Sequence, residues 1–199
     1  MIDSSKRGNK CWLIAQSSKG LMRAHASSFA AILSFAFTPP AFAEERRHET
    51  VVVIPAAAPV VWDALTTAEG WKRMGVGMAR VDFRVGGTIE TSYDAKAKPG
   101  DPDNITSVVV AYLPGRMMAL RNTKAPPNFP YAKEFATTVT VFEIAPVDAS
   151  STRVTATGVG YREGPAYDWL IKMFSEGNRW SLDQLAKSLA ASAKPVDGQ

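Results

Sequence analysis

Side chains able to move protons or hold metals are scarce in this chain and unevenly placed. Two of its 199 residues are histidine and one is cysteine. The cysteine, Cys11, falls in an N-terminal stretch that reads as a removable leader. Beyond it His48 stands alone, so neither a zinc site nor a Ser-His-Asp or Cys-His nucleophile has its parts. Carboxylates, tyrosines, arginines and amides remain. Glu90 and Glu143 sit in alternating runs whose apolar members point the other way, which puts both on solvated surface and makes neither a general acid. Tyr93, Tyr112 and Asn122 could polarise a carbonyl if one cavity gathered them. No catalytic residue, metal or cofactor is therefore expected.

The leader is legible from its parts. Lys6, Arg7, Lys10, Lys19 and Arg23 precede an apolar run at about 28–37, and Ala41-Phe42-Ala43 offers a small-residue cleavage site before Glu44. The run is far shorter than the roughly 20 residues that span a bilayer. Residues 1–43 are thus expected to be a cleaved signal peptide and the remainder an exported protein, periplasmic or secreted. Met22, directly before the charged and apolar run, is an alternative start. The leader carries five of the 23 basic residues and one of the 19 acidic ones, leaving 18 of each. The mature chain is near neutral, and nothing in it suggests the clustered positive surface that nucleic acid requires. Residues 44–199 suit one domain with one core.

The elements that must position any site follow in order. Residues 48–54 are a β-branched run ended by Pro55, hence a first strand. Residues 59–74 carry Val60, Val61, Ala64 and Leu65 at helical spacing, with a break expected near Gly70. Residues 79–93 alternate but are interrupted by Gly86-Gly87, which predicts two strands or one sharply bent strand. Residues 96–103 are a loop by composition, and 105–113 and 116–122 form a hairpin around Pro114-Gly115. The segment 123–133, with three prolines beside Phe129 and Tyr131, reads as an ordered loop at one mouth of the sheet. Strands follow at 135–145 and 152–161. The chain then closes with its longest periodic element, from 165 to about 191. On that helix Leu170, Met173, Phe174, Gly177, Ser181, Gln184, Leu185 and Ser188 share a face. Its middle is small and polar where an ordinary core helix would carry Leu and Ile. Such a face leaves room, and a hydrogen-bonding group, for something held between helix and sheet.

This succession resembles the helix-grip superfamily that includes START domains and the birch-pollen-allergen fold, and most of all the branch named for the activator of the heat-shock chaperone ATPase. The resemblance is carried by PVVWDALTTAEGWKRM (59–74), VDFRVGGTIE (81–90), the turn in AYLPGRMMAL (111–120), STRVTAT (151–157) and RWSLDQLAKSL (179–189). In that branch Gly and Trp are often adjacent near the second half of the closing helix, whereas here Asn178 and Arg179 separate Gly177 from Trp180. The resemblance implies an α+β fold in which a curved antiparallel sheet of six or seven strands grips the C-terminal helix around an elongated cavity. It does not fix one chemistry, because the superfamily includes carriers, cyclases and regulators. An exported chain would also not meet a cytosolic chaperone.

Alternation then nominates the wall of that cavity: Phe83, Ile89, Thr91 and Tyr93; Val108, Val110 and Tyr112; Met118, Leu120 and Asn122; Thr138, Thr140 and Phe142; Val154 and Ala156. The ligand-contact set drawn from wall and helix is Phe83, Ile89, Tyr93, Val110, Tyr112, Met118, Leu120, Asn122, Phe142, Leu170, Met173, Phe174, Gly177 and Ser181. The function expected is binding of a small hydrophobic or amphipathic molecule, such as a lipid, sterol-like or aromatic compound. A cyclase or dehydratase-like enzyme using the same cavity, or a protein-interaction module, is the alternative.

Overall fold

The computed structural model describes residues 46–192, so the leader with Cys11, Met22 and the cleavage site lies outside the described residues. Strand β1 (Arg46–Ile54) leads into two short helices, α1 (Ala58–Thr66) and α2 (Ala68–Arg73). Strands β2 (Met78–Val81), β3 (Thr88–Ser92), β4 (Ile105–Leu113) and β5 (Met117–Lys124) follow, then one turn of helix, α3 (Ala132–Phe135). Strands β6 (Val139–Pro146) and β7 (Thr152–Tyr161) and the 28-residue helix α4 (Pro165–Ser192) complete the order. The seven strands form one sheet in the order β1-β7-β6-β5-β4-β3-β2. Each neighbouring pair is antiparallel. This is the α+β helix-grip fold that the succession of elements implies, and no described helix is long and apolar enough to cross a membrane.

Three local departures have physical causes. The helical segment breaks at Thr67 rather than near Gly70: Thr67 is extended, and its hydroxyl accepts from the Gly70 N–H at 3.2 Å to cap α2. Gly70 instead lets α2 approach α1, since a Cβ there would overlap the Ala64 backbone. Phe135 does not open a strand but ends α3, where its carbonyl accepts the Thr138 hydroxyl at 2.8 Å. In β4, Val109 pairs with Leu120 and Ala111 with Ala119, so Val110 is the extra residue of a β-bulge. The bulge reverses the inward face: Ser107 and Val109 point in before it, Tyr112 after it. Val108 and Val110 are accordingly only half-buried.

The core is divided. One cluster joins α1, α2 and the sheet to the end of α4 through Leu182, Leu185 and Leu189. The other gathers Phe135, Tyr161, Tyr167 and Leu170 at its start. Between Leu170 and Leu182 no residue of α4 is fully buried. Pro165 opens the helix, where its missing N–H has no partner to lose. Asp168 in the first turn binds Arg46 of β1. Farther along, Arg179 reaches the Val51 carbonyl at 2.8 Å. Gln184 and Ser188, expected on the inward face, are half-buried flanks of the Leu182–Leu185–Leu189 stripe.

If Gly70 is there for close packing, Gly70→Ala should lower the unfolding free energy by about 1–3 kcal/mol, the usual cost of overpacking. Urea unfolding followed by tryptophan fluorescence measures it; an unchanged midpoint would show that α1 and α2 can move apart freely.

Candidate ligand-binding cavity

A cavity of about 290 Å³ lies between the two core clusters. The sheet supplies Thr91, Ile105, Ser107, Leu120, Asn122, Thr140 and Phe142, and α2 with its following turn supplies Trp71, Met74 and Val76. The loop after β5 and α3 add Phe129 and Phe135, while α4 closes the space with Met173, Phe174, Gly177, Asn178 and Ser181. Tyr93 stands at the mouth, and no lining residue is charged. Outside the mouth an open groove of about 680 Å³ runs along α4 between Trp169, Lys172, Glu176 and Trp180. Groove and cavity share Tyr93, Met173 and Gly177, so the two meet across the middle of the helix. A Cβ built on Gly177 would find nothing within 4 Å, which identifies that position as open space.

Eight of the sequence-nominated contacts line this cavity: Tyr93, Leu120, Asn122, Phe142, Met173, Phe174, Gly177 and Ser181. Six do not. Ile89, Met118 and Leu170 are fully packed core. Val110 is displaced by the bulge. Phe83 and Tyr112 meet at a tilt at 4.9 Å and both pack on Trp62, Phe83 edge-to-face, forming a separate aromatic cluster with α1. Among the other nominated wall positions Thr138, Val154 and Ala156 are packed core too. Phe129, expected at the mouth, lines the cavity and meets Phe135 at a tilt at 4.9 Å and Trp169 edge-to-face at 5.6 Å. Tyr131 packs on Trp169 at 5.9 Å and is an outer buttress.

The sequence reading missed Trp71, Met74, Val76, Ile105, Ser107, Phe135 and Asn178. For Asn178 a signal existed: it lies four residues after Phe174 and three before Ser181, the spacing of one helix face.

Two of the polar lining residues, Ser107 and Asn122, are hydrogen-bonded to each other. Asn122 donates through one hydrogen of Nδ2 to the Thr138 hydroxyl at 2.8 Å and accepts the Ser107 hydroxyl at 3.0 Å, which fixes the orientation of its amide. With Tyr112 elsewhere, the set of Tyr93, Tyr112 and Asn122 is not assembled. Glu90 does face away from the cavity, but it is 9% exposed rather than solvated. Its Oε1 accepts from Asn104 at 2.8 Å and from the Gly100 N–H at 2.6 Å. The Asn104 hydrogen bond holds its carboxyl below the ordinary value, against the opposing effect of burial, so it clamps the loop before β4 as a carboxylate. Glu143 is exposed, as expected.

His48 lies behind the cavity wall. Its ring stacks on Phe174 at 6.2 Å, lies over Gly158 of β7 and meets the Tyr161 hydroxyl through Nε2 at 3.1 Å. Nδ1 is buried without a partner among the described residues. Burial pushes the imidazole below its ordinary value and the Tyr161 phenol above its own.

A profile described as polyketide cyclase / dehydrase and lipid transport matches residues 45–192. The chain belongs to this family. A search of curated proteins by sequence finds no match. Solved structures with the same fold include a protein from Mesorhizobium loti, at 17% identity and TM-score 0.57, covering 74% of this chain and 100% of that one. The aromatase/cyclase Zhui from Streptomyces sp. R1128 aligns at 16% identity and TM-score 0.56, over 77% and 99% of the two chains. The Aha1 dimer from Colwellia psychrerythraea aligns at 19% identity and TM-score 0.53, again over 77% and 99%. The superfamily inferred from the sequence, including its chaperone-activator branch, is thus found among the neighbours, and at these identities they establish the fold shared with this polyketide cyclase / dehydrase and lipid transport family member.

A histidine buried neutral contributes stability that is complete above its unfolded value of 6.5 and is lost as pH falls below it, because only the unfolded chain then binds the proton readily. The thermal midpoint should therefore fall between about pH 7.5 and 5.5, and His48→Gln should flatten that slope. Equal slopes in the two proteins would remove His48 from the account.

Proposed function

We propose that the mature protein is an exported carrier that holds a small, uncharged, hydrophobic or amphipathic molecule in the cavity between the sheet and α4. The observation that supports this most strongly is the lining: aromatic and aliphatic walls, a few hydroxyls and amides, and no charged side chain. An ionised headgroup buried there would lose its hydration without a counter-charge. A volume near 290 Å³ is at the lower end for ligand pockets, which favours a compact molecule of a few rings or a short chain. Burying about 300 Å² of apolar ligand surface at roughly 25 cal/mol/Å² is worth about 7 kcal/mol before association costs. Micromolar binding, about 8 kcal/mol, is the corresponding scale.

The family's description covers cyclases and dehydrases as well as lipid transport, and one structural neighbour is an aromatase/cyclase. Carriage is favoured here because Tyr112 is outside the cavity and no carboxylate or histidine lines it. Export is inferred from the leader alone. N-terminal sequencing of the exported protein should begin at Glu44, and a mature chain retaining earlier residues would contradict export by cleavage there.

The binding claim is tested by solvent extraction of the purified protein and by titration with fluorescent fatty acids and aromatic probes. Saturable micromolar binding is expected. Gly177→Leu, which fills open space, should weaken it at least about tenfold while leaving the fold intact by circular dichroism. Lack of both a co-purified compound and saturable binding would overturn the carrier reading.

A further inference from the structure

Three hydroxyls in the cavity wall have no partner. Thr91 on β3, Thr140 on β6 and Ser181 on α4 line the space, and their hydroxyls make no hydrogen bond within the described residues. They are not sealed in. Among the described residues the enclosed side-chain atoms left unpaired are His48 Nδ1, Asn104 Oδ1 and Asn178 Nδ2, so each of the three hydroxyls keeps surface open to a water-sized molecule. Thr91 and Thr140 are only 8% and 7% exposed, and the space they border is the cavity. Their register partners, Ile105 and Leu120, line it too, as expected of residues that share one face of a sheet. The strand order β6-β5-β4-β3 leaves two strands between the threonines, which at about 4.8 Å per strand puts them about 14 Å apart along the sheet and closer across its concave face. The intervening strands offer Ser107 and Asn122, which already bind each other.

We propose that Thr91 and Thr140 are paired specificity residues that hydrogen-bond the two ends of one neutral, slender ligand. The inference rests on the carrier reading and narrows it. In the empty cavity water serves these hydroxyls, and a ligand that displaces the water without replacing its hydrogen bonds loses affinity. A threonine hydroxyl both donates and accepts, so a hydroxyl or a carbonyl satisfies it equally. The chemical class is therefore an uncharged aromatic or alicyclic molecule with an oxygen function at each end. Its apolar body lies against Leu120, Phe135 and Phe142, and a volume of about 290 Å³ drawn out between two distant threonines leaves room only for a narrow one. A fatty acid fits poorly: it has one polar end, and the lining offers no cation to offset the desolvation of its carboxylate. A pure hydrocarbon fills the space and strands both hydroxyls.

Three probes of one shape separate these cases: trans-stilbene, 4-hydroxystilbene and 4,4′-dihydroxystilbene, with no, one and two oxygens. Their affinities are measured by displacement of N-phenyl-1-naphthylamine from the mature protein, from Thr91→Val and Thr140→Val, and from the double variant, with unfolding midpoints as the check on folding. Valine keeps the branched shape and the strand preference while removing the hydroxyl. In the wild type each oxygen should tighten binding about fivefold, the scale of one net hydrogen bond. Each single variant should lower the diol's advantage over stilbene about fivefold, and the double variant should bring it near one while stilbene binds at least as well as before. Thr91→Ser and Thr140→Ser, which keep the hydroxyl, should retain the advantage. Equal binding of diol and stilbene to the wild type, or a diol preference that survives in the double variant, overturns the role of the threonines and leaves the carrier reading standing. Equal binding of the diol and the mono-hydroxy compound overturns recognition at two ends. Failure of the naphthylamine and all three stilbenes to bind the folded wild type counts against both this inference and the carrier reading.

Discussion

The structure depends on a helix whose fully buried residues lie toward its two ends, while its middle touches β1 on one side and borders the cavity on the other. Tyr167 and Leu170 tie the start of α4 to one aromatic cluster, and Leu182, Leu185 and Leu189 tie its end to the larger core. Each fully buried leucine contributes about 1.5–3 kcal/mol. The turns between carry Gly177, Asn178 and Ser181 where leucines would have continued the seam. At about 24 cal/mol per Å³, a dry and sealed void of about 290 Å³ would cost about 7 kcal/mol. That is a large fraction of the 5–15 kcal/mol by which folded domains are usually stable. A fold with this gap is understandable if the space opens beside Tyr93, as it does, and if an occupant restores the missing contacts.

Charge is arranged to hold the frame and to stay out of the gap. Arg46 and Asp168 fasten the first turn of α4 to β1, Arg179 reaches the β1 backbone, and Glu90 fastens the loop ahead of β4. Lys172 and Glu176 lie along the outer groove, not in the cavity. Of the interior polar groups, Asn122 is held between Ser107 and Thr138. Such an interior suits recognition of a neutral molecule better than proton transfer, which needs a group free to gain or lose a proton next to the substrate.

Much of the frame could be read from residue patterns. The alternation around Gly86-Gly87, the Pro114-Gly115 hairpin and the period of α4 give the strand order and the closing helix, because those signals are local. On β5 and β6 the alternation also names the correct inward face, and Leu120, Asn122 and Phe142 follow. It fails on β4, where one inserted residue at Val110 shifts the parity and exchanges Val108 and Val110 for Ile105 and Ser107. Alternation also cannot distinguish an inward residue that meets the helix from one that meets space. Ile89 and Met118 face inward but lie under packed core, whereas Leu120 faces the cavity. Trp71, Met74, Val76 and Phe135 come from short elements whose placement depends on tertiary contacts, such as the close approach that Gly70 permits. Sequence periodicity does not carry that information.

The central claim is that a small uncharged molecule occupies the space between sheet and helix beside Gly177. The most direct measurement is an anomalous-scattering map from crystals of the mature protein soaked with a brominated aromatic ketone. The account predicts a bromine peak inside the cavity, between Phe142 on the sheet and Gly177 on the helix, with the side-chain core unmoved. A bromine found only in the outer groove by Trp169 and Trp180, with the cavity collapsed or filled by its own side chains, would contradict it.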